Sequence, residues 1–173
     1  MKLSQISRIQ GEWTEDLQMN TNQPIHSNGK FYIYDPCFWD DVKSKFLCVQ
    51  LDDFLPGRYM PFFQRVELPR FNERVMFVGL VHESQHNKTF DLQFTKLQNG
   101  TVGVDTGRVT ITSQIPSREP TKLDDDFYQF FPDGLICDSG IGDGTYDVYT
   151  SVNGGKKIAL GVYFGDHTLL RQQ

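Results

Sequence analysis

Covalent and electrostatic shortcuts are scarce in this chain. Its three cysteines, Cys37, Cys48 and Cys137, stand at unrelated spacings and form no C-x-x-C pair. An odd, scattered set argues against a disulfide framework and fits free thiols in a reducing cytoplasm. Each lies in or beside apolar sequence and is read as a buried, inert thiol rather than a nucleophile. No run approaches the ~20 apolar residues of a membrane-spanning helix, and no basic, apolar leader opens the chain. The two N-x-T triplets at Asn87 and Asn99 therefore carry little meaning, and a cytoplasmic protein with no membrane partner is expected. Charge of one sign is also lacking: 17 basic against 22 acidic residues leave a formal charge of −5. Nucleic-acid binding rests on Lys and Arg neutralising phosphates, so no strong nucleic-acid signature is present, and a DNA mimic would carry more negative charge.

What is present is apolar and aromatic. Hydrophobic residues make up 38% of the 173, with 14 Phe and 7 Tyr. A single domain of this size buries roughly 70% of the surface its unfolded chain exposes, enough for a core without disulfides or a structural metal. The pattern is that of strands. Leu135 to Phe164 reads as strand, glycine-aspartate loop, strand, tight turn, strand; in the last, Ile158, Leu160, Val162 and Phe164 alternate with Ala159, Gly161 and Tyr163. Three Asn-Gly pairs, at 28–29, 99–100 and 153–154, are hairpin or strand-start signals because both residues tolerate positive φ. Further strands are expected at Lys30 to Tyr34, Gln64 to Leu68, Arg74 to His82, Thr89 to Leu97 and Thr101 to Val104 on either side of Asn99-Gly100, and at Arg108 to Ser113. The apolar run VMFVGLV suits a central strand covered on both faces. Helical signals are few: Asp35-Pro36 leading into Phe38, Trp39, Val42 and Phe46, Leu123 to Phe131, and a weak one at Leu3, Ile6 and Ile9. The expected fold is mainly β: one domain over 1–173, an antiparallel β-sandwich or partly open barrel with two or three short helices, residues 1–27 forming a helical or irregular extension.

Two constellations could carry chemistry. The loop DSGIGDGTYD offers Asp138, Ser139, Gly142, Asp143, Gly144, Tyr146 and Asp147. Flexible carboxylates could gather a divalent cation such as calcium, and glycine amides could cradle a nucleotide phosphate. The loop lacks EF-hand spacing and G-K-[ST], and a tight connection in which aspartates bond nearby amides competes with both readings. His82, Glu83 and His86 match the H-E-x-x-H of zinc hydrolases, which needs a helix to bring both imidazoles to one face. On a strand they would lie about 13 Å apart. Ser139, His167 and Asp166 could be drawn as a triad, but no G-x-S-x-G elbow supports it. Asp124 to Asp126 reads as a solvated acidic run, and Asp52-Asp53 as surface. The aromatics at Tyr59–Phe63 and Phe127–Phe131 could anchor a protein partner, although the core is the commoner place for Phe.

Several motifs in order resemble an uncharacterised bacterial and phage β-protein family, a domain of unknown function: FYIYDPCF (31–38), LPGRYMPFF (55–63) with RVMFVGLV (74–81), VGVDTGRVTI (102–111), DSGIGDGTYDVY (138–149) and KIALGVYF (157–164). The resemblance runs from about Phe31 onward and is most specific at G-x-G-D-G-x-Y. It implies a single β-rich domain with HESQH at a strand end, supplies no catalytic residues, and implies a host-takeover or anti-defence role. With no convincing nucleophile–base or metal constellation, the expected function is non-catalytic binding of a protein partner or small ligand without a dedicated cofactor. Ligand binding by the 138–147 loop is the alternative, and a zinc hydrolase the third reading.

Overall fold

A computed structural model of the chain describes residues 1–3, 18–19, 22–41, 48–68, 72–117, 128–140 and 142–165. In chain order these form β1 (Gln18–Met19), β2 (Ile25–Ser27), β3 (Phe31–Tyr34), a 3₁₀ segment (Pro36–Asp41), β4 (Cys48–Leu51), β5 (Gly57–Leu68), β6 (Asn72–His82), a second 3₁₀ segment (Glu83–Asp91), β7 (Thr95–Val104), β8 (Arg108–Thr112), β9 (Tyr128–Phe131), β10 (Gly134–Asp138), β11 (Gly144–Asn153) and β12 (Lys156–Tyr163). The larger sheet runs β1-β5-β6-β12-β11-β7, with β2 joining β1 on the same edge of β5, and the smaller runs β4-β3-β8-β10-β9. Every ladder is antiparallel. The protein is a mainly-β antiparallel sandwich, as the alternation predicts. No described helix is long and apolar enough to cross a membrane.

The core follows from strand periodicity. Phe31 and Ile33, Val109 and Ile111, and Leu135 and Cys137 point inward from the small sheet and meet Val78, Leu80, Val148, Leu160 and Val162 of the large one. Burial of each such side chain stabilises by about 1.5–3 kcal/mol before the entropy of ordering it is subtracted. The large sheet is covered on its other face as well: Phe62, Phe77, Val81, Tyr149 and Tyr163 pack with Leu3 and Phe94. This explains the unbroken apolar run of β6. A bulge at Met76 serves both faces, because Gln64 pairs with Phe77 while Arg65 pairs with Val75. The extra residue flips the alternation, sending Val75 to the inner core and Phe77 to the outer one.

Several expectations are corrected. Asn99-Gly100 is no hairpin: β7 continues through it, with Leu97 to Gly100 bulging between the Lys96–Tyr149 and Thr101–Asp147 pairs and Asn99 at φ 60°. Thr89 to Asp91, read as strand, belongs to the second 3₁₀ segment. Tyr128 to Phe131, read as helical, is strand β9; residues 118–127, including the acidic run and Phe127, lie outside the described residues. Of the expected helix after Asp35, a kinked 3₁₀ segment is described and Val42 and Phe46 are not. Within residues 1–27, Gln18–Met19 and Ile25–Ser27 are paired strands rather than an extension; the Ile6 and Ile9 helix falls outside the described residues, as do Asp166 and His167. Cys37 is exposed, whereas Cys48 and Cys137 are buried as expected. The turn at the third Asn-Gly pair is made by Gly154 and Gly155 (φ 58° and 79°), between paired Asn153 and Lys156.

Candidate functional site

The strands carry the conspicuous motifs to one end of the sandwich. β3 leads into Asp35, β7 and β8 join through residues 105–107, and β10 and β11 join through 139–143. Asp35 is fully buried. Its carboxylate accepts the amides of Cys37 (2.8 Å), Asp105 (2.6 Å) and Thr106 (2.8 Å) and the Thr106 hydroxyl (2.9 Å). Burial pushes this carboxyl upward, but the donors of Cys37, Asp105 and Thr106 outweigh it and hold the group below its usual range. Burial first, then Asp35, pushes the Cys37 thiol up to about 12, so exposure does not make it a thiolate nucleophile. In the sequence Asp35 marks only the start of a short helix; the partners that reveal its larger role are about 70 residues away.

The Asp138–Asp147 set is divided by the structure. Ser139 is buried and donates from Oγ to the Gly142 carbonyl (2.5 Å), which also accepts Tyr146 Oη (2.6 Å). The Ser139 amide donates to Gly107 (2.9 Å), tying the loop to the Asp35 clamp. Gly140, at φ 67°, lies so close to the core that a Cβ would meet Val75 O at 2.6 Å and Phe164 Cβ at 2.8 Å. The carboxylates diverge. Asp138 stands 3.8 Å from Arg108 Nε, with burial raising its pKa against the pull of Arg108 and Arg74. Asp147 meets Lys96 Nζ at 2.6 Å on the opposite sheet face from Tyr146, and Asp143 and Gly144 are exposed. Ser139, Gly142 and Tyr146 are thus brought together as an internal knot; the three aspartates are not brought together. No group of three metal-ligating side chains occurs among the described residues.

His82, Glu83 and His86 sit at the other end. His82 closes β6 and caps the second 3₁₀ segment: Nδ1 accepts the Ser84 amide (3.2 Å) and lies 2.8 Å from Ser84 Oγ, while Nε2 faces Pro56 O at 3.4 Å. Its ring packs edge-on against Tyr59 at 5.2 Å. His86 Nδ1 bonds the Glu83 carbonyl (2.7 Å), and Glu83 pairs with Arg58 (3.5 Å). A 3₁₀ turn eclipses residues three apart, so the i, i+4 face that H-E-x-x-H needs on an α-helix does not form. The strand-end placement implied by the family resemblance is found.

Beside this end lies a groove of about 630 Å³, missed in the sequence because its walls come from distant segments. β2 supplies His26 and Ser27, the β2–β3 turn supplies Lys30, the outer face of β3 supplies Tyr32, and the chain leaving β8 supplies Ser113 to Ile115. The β2–β3 corner is braced by Ser27, whose hydroxyl donates to Lys30 O (2.9 Å) and accepts the Gly29 and Lys30 amides (3.0 and 3.2 Å). That hydroxyl is therefore occupied rather than poised for attack. Gly57 forms part of the lining, and a Cβ there would meet His82 Nε2 at 2.5 Å. Among the described residues, Ile115, at 44% exposure, is one of the few large apolar side chains turned to solvent. A second cleft of about 410 Å³ between β4 and β7 carries Asp52 and, among the described residues, no basic side chain in its lining. The Tyr59–Phe63 aromatics lie in the two cores, not on a partner surface. Compared with known proteins, the chain matches no family model, no curated protein and no solved structure.

Proposed function

We propose that this is a non-catalytic binding protein of the cytoplasm whose recognition surface is the groove between β2, β3 and the end of β8. One observation carries the reading: the groove is about 630 Å³, lined by both polar and apolar surface with an exposed Ile115, while its walls are braced by hydrogen bonds within the chain. Its volume falls within the range of about 300–1,000 Å³ usual for small-ligand sites. The 138–147 loop, by contrast, spends Ser139 and Tyr146 on its own Gly142 carbonyl, which favours a connector over a ligand site. The host-takeover or anti-defence role implied by the family resemblance enters as part of this proposal, with a host component as the groove's occupant.

The test is a thermal-shift screen of the full chain against a fractionated cell extract, repeated with Ile115→Arg, which fills the groove from an exposed position. A specific ligand at 100 times its dissociation constant should stabilise the wild type by about 2.7 kcal/mol. The variant should fold equally well and lose that shift. A shift that survives Ile115→Arg, or turnover of a substrate by the wild type, would remove the proposal.

A further inference from the structure

The chemistry of the groove lining narrows the occupant, an inference that rests on the binding reading above. Acids outnumber bases in this chain by 22 to 17, yet the lining contains Lys30 and His26 and, among the described residues, no carboxylate. The cleft between β4 and β7 has the opposite character, with Asp52 and, among the described residues, no base. Lys30 is the cation best able to turn to a ligand. Its ammonium stands 3.6 Å from Asp52 Oδ1 with both side chains about 60% exposed, at 59% and 63%; such a pair is weak and readily exchanged for a better anion. Next to it, Tyr32 is half-buried, steadied by the small outer cluster of Tyr34, Cys48 and Trp39. Asn28 and Gln114 add exposed carboxamides, each able to donate and accept.

A cation, an imidazole, an aromatic ring and two carboxamides around one groove match a ligand that is anionic at one end and planar and polar at the other. We propose that the groove binds a nucleoside monophosphate. Its phosphate is held by Lys30 and His26, its base stacks on Tyr32, and Asn28 and Gln114 read the base edge.

Isothermal titration of the full chain with the ribonucleoside monophosphates, the matching nucleosides, inorganic phosphate alone and a short single-stranded RNA tests this. At least one monophosphate should bind, and its nucleoside and inorganic phosphate should each bind about tenfold or more weakly. Lys30→Ala and Tyr32→Leu should each weaken binding by about tenfold, with unchanged circular dichroism. Asp52→Asn, which releases Lys30, should strengthen it about two- to threefold. Equal binding of nucleoside and nucleotide, or a nucleotide affinity indifferent to Lys30→Ala, overturns the inference. RNA binding about tenfold tighter than any mononucleotide replaces it with a nucleic-acid surface. If no monophosphate binds while Ile115→Arg still abolishes the extract-induced shift, the nucleotide inference falls and the groove reading stands. If Ile115→Arg leaves that shift intact, both fall.

Discussion

The two ends of the sandwich use polar residues in opposite ways. At the end holding Asp35, residues 105–107 and the 139–143 loop, polar groups face one another: one buried carboxylate collects the donors of two segments, and one carbonyl collects two hydroxyls. At the β2–β3 end, the Ser27 hydroxyl and the Phe54 amide on Gly29 O hold the corner, and Lys30, Asn28 and Gln114 face solvent. Glycine and aspartate richness, which makes the first end conspicuous in sequence, is what a tight self-bonded crossing requires. The less conspicuous end keeps its polar groups available. Composition therefore points to the end whose polar groups bond one another and away from the end whose polar groups stay exposed.

The sharpest way to break this contrast is to remove the clamp. Asp35→Ala leaves the Cys37, Asp105 and Thr106 donors in a dry site without their acceptor and should cost on the order of 3 kcal/mol. Urea unfolding would show a lower midpoint at unchanged slope; a loss under about 1 kcal/mol would mean that water replaces the carboxylate and that this end is not the stabilising one. Gly140→Ala comes next. It combines a left-handed backbone with contacts of 2.6 and 2.8 Å against Val75 O and Phe164 Cβ and should cost about 2 kcal/mol. Gly142→Ala, also at positive φ (111°) but with nothing within 4 Å, is the control and should cost about 1 kcal/mol.

Titration separates the clamp from its neighbour. The Asp35 carboxyl is held below its unfolded value, so its stabilisation is complete above an unfolded pKa of about 3.9 and is lost as pH falls through the lower folded value. Asp138 has the opposite sign: burial raises its pKa, so its contribution is present at low pH and is lost as pH rises through that raised value. The acid limb of the stability curve should flatten in Asp35→Asn and persist in Asp138→Asn. The effect is smaller than that of Asp35→Ala because protonation leaves the side chain in place. An unchanged acid limb in Asp35→Asn would show that another carboxylate governs it.

What was legible follows the physics of each element. β6, β8, β10, β11 and β12 were readable because buried strands carry their partners' demands in their own alternation. The short strands β1, β2, β4 and β9 were not: with two to four residues each, they form through edge pairing that no local pattern encodes. Pro61 concealed the first half of β5, yet it lies between the stretches of β5 paired with β2 and β1, where a missing amide is tolerated. Asn99-Gly100 carried a correct backbone signal, positive φ, that a bulge uses as readily as a hairpin. For the sites, the loop at 138–147 was found but its hydrogen-bond destinations were not, because they depend on Gly107 and on the fold of the loop itself. The groove left no trace because its walls, 26–32, 57 and 113–115, meet only in space.

The smallest expected effect is the most diagnostic for the contrast. Lys30→Ala removes an exposed cation whose ion pair with Asp52 is 3.6 Å long and solvent-screened; its stability change should lie within about 0.5 kcal/mol. Ile115→Arg replaces an exposed apolar side chain and should be similarly neutral. Near-neutrality here matters because a residue retained for folding is missed when it is removed, whereas a binding residue is missed only in the presence of its ligand. If denaturant midpoints instead fall by more than about 1 kcal/mol for both variants, the corner is a structural brace like the Asp35 end. The two ends would then differ in composition but not in purpose.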